Sequence, residues 1–583
     1  MSNFEIKSYP FQLSAINELA TENSLENNWP VVYQIRKNDA IYIGETTSLK
    51  GRMRQHYDTT EKAILHNGVF SVVFDSTFNK SAALDLESYL IQWFSGEGKY
   101  KVLNGNDGMC DRDYYDRDNY RKTFEKIWER LREMHIADKT IAQINNSELF
   151  KFSPYKNLNL EQLNVVTEIV QNIDGAITKN SKSLSIIDGD AGTGKTIVIM
   201  YLAKLLVDLQ KFDNLNDDLD DDSNFGTFFD VASINQHFKN KRIALVVPQQ
   251  SLCGRIRKIF KKVDTGNVDI RIFSPVQFGK CDDYFDITLV DEAHLLKVGV
   301  TGTLGKMVHD INERLFGDGK IHSELDWIMA KSKNVVLVFS PQQRIRPANI
   351  EYYDINKYAE EFERRRYYLK TQMRSKGGKQ YIDYIHDVFS NGYRPQKREI
   401  FNGFEAKIFN NITDFSSEMK KRENEVGLSR IVAGFAWDWV SNRQWVSKTT
   451  PQIYDFEIEG EKFLWNTTTN NWIGSKNAAN EVGSIYTVQG DDLNYVGVII
   501  GKDLIYRDGK FVFNRESCAD KGAMKRSQRQ VANNINITPN DMLEQVLRTY
   551  RILLNRAVKG VYIYACDKEL RDYLSKYFES FIH

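Results

Sequence analysis

The stretch LSIIDGDAGTGKTIVIMYLAKLL, residues 184–206, decides the fold of most of this chain. A short run of strand character precedes a loop of the form G-x-x-x-x-G-K-T, and an apolar helical pattern follows it. In such a loop, backbone N–H groups surround a phosphate, the lysine neutralises its charge, and the threonine can hold Mg²⁺ at a helix N-terminus. The stretch predicts ATP binding, with the candidate residues Gly189, Gly192, Gly194, Lys195 and Thr196.

Six further short apolar strands are predicted beyond this one. They are residues 243–248, 287–292, 335–340, 431–435, 496–501 and 561–565. Short apolar strands separated by helices indicate parallel sheets that are covered on both faces. Seven such strands over more than 400 residues therefore predict two α/β domains.

The sequence ITLVDEAHLL, residues 287–296, supplies the acidic half of a nucleotide site. Its apolar residues carry Asp291 and Glu292 to the carboxyl end of a buried strand. At that place Asp291 is suited to bind Mg²⁺ through water, and Glu292 to orient or deprotonate the attacking water. The alternative is a strand that ends in a capped turn.

Three residues downstream are candidates to contact the γ-phosphate or the charge of the transition state. Gln343 follows the strand VVLVFS, Arg374 lies in LKTQMRSK, and Arg556 lies in LLNRAVKGVYIYA just before the last strand. An arginine that reaches ATP from a second domain stabilises transition-state charge. Either arginine alone reads more simply as a surface residue, and it is the order of the motifs that favours the catalytic interpretation.

This order of motifs resembles superfamily 1 helicases, and most closely the Schlafen-type P-loop helicase domain. The resemblance covers about residues 156–572, including RIVAGFAWDW and SIYTVQGDDLNYVGVIIG. It implies two RecA-like domains, ATP bound between them, and single-stranded nucleic acid across the top. It also implies that Gln162 in LNLEQLNVV reads adenine. The chain departs from the usual pattern at Ser340, where an aspartate is common, and at Asn555, where a threonine is common.

A second set of candidate residues lies near the N-terminus, around IYIGETTSLKGRMRQH at residues 41–56. Cutting a phosphodiester requires a base for water, a cation for the developing charge and a metal for the leaving oxygen. Tyr42 can act as the base if a metal or a cation lowers its pKa from about 10. Arg52 suits a phosphate, and Glu87 on the following helix suits Mg²⁺ or Mn²⁺. The alternative is an ordinary hairpin that runs into a basic surface helix.

The ordered set VVY, YIG, Arg52, His56, Glu87 and Asn104 resembles the GIY-YIG nuclease family over about residues 30–108. The resemblance implies that Tyr33 and Tyr42 line the site, that Arg52 contacts the scissile phosphate and that His56 assists. It further implies that Glu87 binds one divalent metal and that Asn104 orients the site. Val31 replaces the first glycine of the family pattern, and Glu45 stands where some members carry a lysine.

Length and composition limit the class of protein. A chain of 583 residues is too long for one hydrophobic core, and 42% hydrophobic with 27% charged residues is a globular composition. We find no apolar run near the ~20 residues that a membrane span needs. The five cysteines include no CxxC pair, and no secretory signal is visible, so we expect a cytoplasmic protein. Balanced charge requires any nucleic-acid site to be local.

Together these patterns predict a small mixed α/β nuclease domain and two RecA-like domains. The expected boundaries are 1–110 for the nuclease, 111–155 for a charged helical connector, 156–345 for the first RecA-like domain and 346–583 for the second.

The predicted function is an ATP-dependent nuclease and helicase or translocase that acts on nucleic acid, with DNA favoured over RNA and with Mg²⁺ or Mn²⁺. Fusions of this kind resemble prokaryotic proteins that attack phage DNA. The alternatives are a repair helicase, or an ATP-switched binding or sensor protein whose nuclease domain is inactive. A homo-oligomer is compatible with the sequence.

Overall fold

The computed structural model describes residues 4–19, 29–104, 113–211, 236–299, 305–441, 453–468, 471–488, 490–520, 526, 530–531 and 536–582. The chain divides into two compact units. The first contains residues 1–181, 196–243 and 255–271, and the second contains 182–195, 244–254 and 272–583.

The first unit begins with a five-stranded sheet in the order β1-β4-β2-β3-β5. Its strands are β1 (Glu5–Pro10), β2 (Val31–Lys37), β3 (Ala40–Thr46), β4 (Val69–Phe74) and β5 (Lys101–Val102). The pairs run antiparallel except for β3 and β5, which are parallel. Strands β2 and β3 form a hairpin whose turn places Asn38 at φ 52°. Asparagine tolerates this left-handed conformation, so the turn suits the sequence.

The described helices of this unit up to residue 211 follow the same chain order. They are α1 (Leu13–Glu18), α2 (Leu49–Asp58), α3 (Lys80–Glu97), α4 (Arg117–Glu133), α5 (Ile141–Asn145), α6 (Glu148–Lys151), α7 (Leu160–Lys179) and α8 (Lys195–Lys211). Helix α3 begins where the side chain of Asn79 accepts the Ala82 N–H, and it ends at Gly98, whose φ is 72°. A polar N-cap and a left-handed glycine are the usual signals for these two ends.

The segment that the sequence marks as a charged connector packs on α3 of the N-terminal domain. Trp128 of α4 is fully buried, and its ring lies 5.0 Å from that of Phe94 on α3. Asp85 of α3 accepts hydrogen bonds from Tyr114 at 2.9 Å and from Nε of Arg121 at 2.9 Å. Apolar burial and these charge-assisted bonds both fix α4 on α3.

Residues 255–271 also contact the nuclease domain within the first unit. The Lys101 ammonium lies 2.9 Å from Asp264, and Lys262 donates to the carbonyl of Gly98 at 3.0 Å. Burial raises the pKa of Asp264, but hydrogen bonds from Lys211 and Lys101 outweigh it and bring that pKa down to about 2. Specific contacts therefore hold residues 255–271 against the N-terminal domain, in addition to the chain connection.

A six-stranded sheet in the order β11-β6-β10-β9-β7-β8 follows. Its strands are β6 (Ser183–Gly189), β7 (Ile243–Val246), β8 (Ile270–Phe273), β9 (Phe285–Val290), β10 (Ser332–Phe339) and β11 (Glu363–Leu369). The pairs β11–β6, β6–β10 and β10–β9 run parallel. The helices along this part of the chain are α9 (Gln250–Phe260), α10 (Pro275–Lys280), α11 (Gly305–Leu315), α12 (Glu324–Ala330) and α13 (Tyr352–Asn356).

A second six-stranded sheet has the order β16-β13-β17-β20-β12-β21, and all its pairs run parallel. The strands of the C-terminal part are β12 (Glu405–Ile408), β13 (Ser429–Ala433), β14 (Phe456–Ile458), β15 (Glu461–Phe463), β16 (Val482–Ser484), β17 (Leu493–Ile500), β18 (Leu504–Arg507), β19 (Lys510–Phe513), β20 (Ala557–Ala565) and β21 (Glu579–Ser580). Strands β14 and β15, like β18 and β19, form separate antiparallel pairs. The helices here are α14 (Gly378–Val388), α15 (Ile412–Val426), α16 (Ile485–Val488), α17 (Pro539–Leu554) and α18 (Lys568–Leu574).

The fold class agrees with the expectation from sequence: a small mixed α/β domain is followed by two parallel α/β sheets. All seven strands predicted from apolar patterns are present, and their central residues are buried. Among the described residues, no helix has the length and apolarity needed to cross a membrane.

Candidate nuclease and nucleotide sites

The hairpin of β2 and β3 places Tyr33 directly opposite Gly44. A Cβ atom added to Gly44 would lie 2.2 Å from the hydroxyl oxygen of Tyr33, far inside van der Waals contact. The glycine of YIG therefore makes room for the Tyr33 side chain, which is buried across β3. Its role is steric, because its backbone is ordinary strand.

Helix α2 carries Arg52 and His56 one turn apart, so both side chains lie on one face. The Tyr33 hydroxyl lies 2.6 Å from Nε2 of His56, and Nε of Arg52 donates to the same hydroxyl at 3.4 Å. The ring of Tyr42 lies edge-on to that of His56, with 4.9 Å between centroids. The structure thus brings together four side chains that the sequence pattern grouped.

Asn104 positions strand β3. Its side-chain amide donates to the carbonyl of Ile43 at 2.7 Å, and its oxygen accepts the Ile43 N–H at 3.1 Å. Asn104 is buried, so both of these bonds are shielded from water. This paired contact holds the strand segment between Tyr42 and Gly44, and the orienting role of Asn104 in catalysis stays a prediction.

Glu87 lies half-buried on α3 and remains the candidate metal ligand of the nuclease site. Its neighbour Asp85 is bound to Tyr114 and Arg121. Within the described ranges, no cluster of three or more His, Cys, Asp or Glu residues is arranged to hold a metal. Mg²⁺ is commonly held by one or two carboxylates together with waters and substrate phosphates. Binding of Mg²⁺ or Mn²⁺ by Glu87 therefore stays a prediction.

The phosphate loop has the backbone that its sequence predicts. Gly192 and Gly194 adopt φ angles of 87° and 79°, which glycine accommodates without strain. A Cβ at Gly192 would lie 2.1 Å from Oε1 of Gln372, so the position also lacks space for a side chain. Gln372 donates to the carbonyl of Ala191 at 2.7 Å, and Met373 N–H donates to the Gly192 carbonyl at 2.8 Å. The LKTQMRSK segment therefore lies directly on the loop.

Lys195 is turned onto its own loop. Its ammonium donates to the carbonyls of Gly189 and Asp190, each at 2.7 Å. Burial lowers the pKa of Lys195 to about 8, although the carboxylate of Glu292 opposes the shift. These two carbonyls take two of the three donors of the ammonium.

The acidic pair lies at the carboxyl end of β9. Asp291 is fully buried, and one of its oxygens accepts the Glu292 N–H at 3.0 Å. Glu292 has a φ of 48°, a left-handed conformation that few non-glycine residues adopt. Its carboxylate lies 3.2 Å from Nε2 of buried His294. Burial lowers the pKa of His294 to about 4, so this imidazole is neutral at pH 7.

A chain of hydrogen bonds runs from the phosphate loop to Arg556. The hydroxyl of Ser340 donates to the Gly189 carbonyl at 3.2 Å, and Gln343 Nε2 donates to that hydroxyl at 3.2 Å. Arg556 Nη2 in turn donates to Oε1 of Gln343 at 3.4 Å. Ser340 therefore fills the place of the usual aspartate with a hydrogen-bonding group that lacks charge. Burial lowers the pKa of Arg556 to about 10, which leaves it charged at pH 7.

Arg374, the other candidate arginine finger, is hydrogen-bonded to groups of the protein itself. Its Nε is hydrogen-bonded to the carboxylate of Asp492, and its Nη1 donates to the carbonyl of Asn555 at 3.4 Å. Arg374 is close enough to Lys195 and Arg556 to lower the pKa of both. The two predicted arginines and the lysine therefore share one charged neighbourhood, with Glu292 opposite them.

Gln162 serves as part of a helix cap. Its backbone N–H donates to the side chain of Asn159 at 2.8 Å, and its side-chain oxygen accepts the Asn159 N–H at 3.1 Å. This reciprocal capping box starts α7. Recognition of adenine by Gln162 stays a prediction.

Four residues of these sites were not singled out from sequence. Lys62 contacts His56 and Tyr42, Lys80 pairs with Glu45 at 2.7 Å, His294 contacts Glu292, and Asp492 binds Arg374. Only His294 carried a usable signal, since it follows Glu292 by two residues. Lys62, Lys80 and Asp492 lie at distances along the sequence from the motifs that no known pattern predicts.

These elements define a protein that joins a small mixed α/β domain to a P-loop region with two parallel sheets. The family model described as Schlafen group 3, DNA/RNA helicase domain, matches residues 182–567, and the GIY-YIG catalytic domain model matches residues 30–101. The chain belongs to the Schlafen group 3 helicase family and carries a GIY-YIG domain in front of the helicase domain.

Two similarities to individual proteins accompany these matches. The chain is 22% identical over 419 residues to the uncharacterized protein YPL245W of Saccharomyces cerevisiae, which covers 67% of this chain and 84% of that protein. It is also similar to the solved structure of DEAD-box helicase Mss116 bound to ssRNA and UDP-BeF. That match has 13% identity and a TM-score of 0.30, and it covers 73% of this chain and 78% of the other. A TM-score this low supports no conclusion about ligand or mechanism.

Proposed function

We propose that this protein is an ATP-dependent nuclease and helicase or translocase that hydrolyses ATP on nucleic acid and nicks or degrades DNA. The observation that supports it is the presence of two separate cation clusters on one chain. One cluster surrounds a phosphate loop, and the other surrounds the tyrosines of a GIY-YIG hairpin. We place the protein in the cytoplasm and keep the boundaries 1–110, 111–155, 156–345 and 346–583 as the proposed domains.

In the motor, the backbone N–H groups at Gly192 and Gly194 bind the phosphates, with Lys195 as their counter-charge. Thr196 and Asp291 supply hard oxygen ligands suited to Mg²⁺, which lowers the charge on the phosphates when it is bound. Glu292 orients or deprotonates the attacking water, and its carboxylate lies 3.2 Å from Nε2 of neutral His294.

The remaining residues of the nucleotide site contact the γ-phosphate, the transition state or the adenine of ATP. Arg374 and Arg556 stabilise the charge that develops in the transition state. Gln343 senses the γ-phosphate because it links Arg556 to Ser340 and so to the loop. Gln162 reads adenine in this proposal.

In the nuclease, Arg52 binds the scissile phosphate and Tyr42 takes a proton from the attacking water. Tyr33 and His56 line the site, and Asn104 holds the strand that carries Tyr42. Glu87 holds the divalent metal, which stabilises the leaving oxygen when it is bound.

The first test is a cleavage assay with purified protein. Labelled single- and double-stranded DNA and RNA are incubated with Mg²⁺ or Mn²⁺, with and without ATP. We expect strand cleavage by the parent and by Glu125→Ala, an exposed glutamate on α4, and none by Glu87→Ala. Tight binding without products would favour the ATP-switched sensor instead, and cleavage by Glu87→Ala at the parent rate would refute the nuclease assignment.

The biological role is tested in cells. We propose defence against phage DNA, with repair or recombination as the rival. Plaque counts on a host that expresses the parent should fall relative to a host that expresses Lys195→Ala. Equal plaque counts together with sensitivity to DNA damage in the variant would favour repair.

A further inference from the structure

A buried lysine lies inside the nuclease site. Lys62 comes from the short 3₁₀ turn Thr60–Leu65 after α2, and only 7% of it is exposed. Its ammonium lies 2.9 Å from Nδ1 of His56 and 3.8 Å from the centre of the Tyr42 ring. Burying an ammonium is costly unless polar partners compensate. Lys62 is therefore held inside by specific partners, two of which are predicted site residues.

The contact to His56 determines which ring nitrogen carries the proton. An ammonium group has three donors and no acceptor, so Lys62 has to donate and Nδ1 has to accept. Nδ1 of His56 is then unprotonated, and the neutral ring carries its hydrogen on Nε2. Nε2 faces the Tyr33 hydroxyl at 2.6 Å and so donates to it.

The Tyr33 oxygen consequently accepts two N–H groups. One comes from His56, and the other is Nε of Arg52 at 3.4 Å. Two N–H donors on one phenol oxygen turn the phenol's own hydrogen away from both. The same Lys62 ammonium lies over the Tyr42 ring, 3.8 Å from its centre. Lys62 therefore orients groups that contact both tyrosines.

We propose that Lys62 is a positioning residue of the nuclease, which fixes the Nε2–H tautomer of His56 and orients the hydrogen bonds to Tyr33. The inference rests on the proposed nuclease function, but it concerns a residue that the motif pattern does not include. It also bears on Glu45, the position at which this sequence departs from the family pattern. The lysine that some family members carry after YIG is replaced here, and Lys62 brings a cation to the tyrosines from another part of the chain.

The structural alternative is that Lys62 only stabilises the fold of the turn. The variants Lys62→Met and Lys62→Arg separate these explanations. Methionine keeps the apolar stem and removes the donor, whereas arginine keeps a charged donor. Lys50→Met is the matched control, because the Lys50 ammonium donates to the Asn17 carbonyl outside this network.

The decisive readout is nitrogen NMR of the full-length chain labelled at its nine histidines, with the His56 signal assigned by its loss in His56→Gln. The parent should show a protonated Nε2 and a bare Nδ1 in His56, and Lys62→Met should show a mixture of tautomers. A parent spectrum with the proton on Nδ1 would overturn the proposal, even if Lys62→Met does not fold. This measurement remains valid if the protein cuts nothing, in which case the proposed function fails separately.

Kinetics supply the second readout. Lys62→Met should lower kcat for nicking about tenfold or more with little change in KM, as removal of an outer partner of a functional histidine does. Lys62→Arg should recover part of that loss, and Lys50→Met should match the parent. Parent-like kcat in Lys62→Met at an unchanged melting temperature would contradict the proposal.

Discussion

The nuclease site and the nucleotide site both gather cations to meet phosphate, yet they hold those cations differently. In the nuclease site, Lys62 and Arg52 are hydrogen-bonded to the ring and hydroxyl groups of the site itself. In the nucleotide site, Lys195 is bound to loop carbonyls and Arg374 to the carboxylate of Asp492. We propose that the first arrangement is assembled before substrate binds, whereas the second exchanges partners when ATP binds.

This difference suits two kinds of chemistry. A preorganised site avoids reorganisation at the moment of reaction, which is what cleavage of a bound strand requires. A site that exchanges its contacts couples ligand binding to a change in the protein, which is what a motor requires. The predictions below test the two halves of this comparison.

The largest expected effect is on ATP hydrolysis. Arg556→Ala should reduce kcat of the ATPase by about 10³-fold or more, as the loss of an arginine finger does. Arg551→Ala on the preceding helix is the control, because that guanidinium pairs with Glu544 at 3.1 Å. Steady-state phosphate release measures both variants. A loss of less than tenfold in Arg556→Ala would remove this residue from the transition state.

The next effect is on the nuclease. Gly44→Ala should abolish nicking and lower the free energy of unfolding of its domain by about 1–3 kcal/mol, because the added Cβ clashes with the Tyr33 hydroxyl. Gly175→Ala in α7 is the control, since nothing lies within 4 Å of its added Cβ. Denaturation curves and nicking assays check both. Normal nicking in Gly44→Ala would show that the position of Tyr33 is unimportant.

The pH dependence of ATP binding tests the exchange of partners at Lys195. Its pKa of about 8 in the free protein should rise when phosphate replaces the carbonyls, so ATP binding takes up a proton above pH 8. Affinity should weaken by about fivefold between pH 8 and pH 9 and should vary little between pH 7 and pH 7.5. Titration calorimetry in buffers of different ionisation enthalpy measures the proton uptake. Lys195→Arg should show none, because arginine stays charged, and an absence of uptake in the parent would contradict the account.

The smallest effect concerns the hydrogen-bond chain to Arg556. Gln343→Ala removes the link between Ser340 and Arg556. A single hydrogen bond contributes about 0.5–1.5 kcal/mol, so kcat of the ATPase should fall by roughly 2- to 12-fold. Gln342→Ala, which alters the exposed neighbour in the same turn, is the control. Equal rates in the two variants would mean that these hydrogen bonds do not contribute to ATP hydrolysis.

The sequence predicted what local patterns determine. The strand, loop and helix around Lys195 follow from glycine spacing and apolar periodicity, and the burial of Asp291 follows from its place at the end of β9. The convergence of Tyr33, Tyr42, Arg52 and His56 was also anticipated, because a hairpin and the next helix are close in sequence.

The rest depends on tertiary contacts that no spacing encodes. Lys62 reaches His56 from an irregular turn, and Asp492 meets Arg374 across more than a hundred residues. The packing of α4 on α3 was not predicted either, because the sequence does not show which element Trp128 and Arg121 contact. Sequence patterns identify the motif residues, and the fold selects their partners.

The central claim is that a preassembled nuclease is driven along long substrates by a motor that has to open and close. The most direct test compares cleavage rates of a short oligonucleotide and a long DNA, with and without ATP, in the parent and in Lys195→Ala. We predict equal cleavage of the short substrate by both proteins, and acceleration of the long substrate by ATP in the parent alone. If Lys195→Ala loses ATPase activity but cuts the long DNA as fast as the parent does with ATP, the claim is wrong.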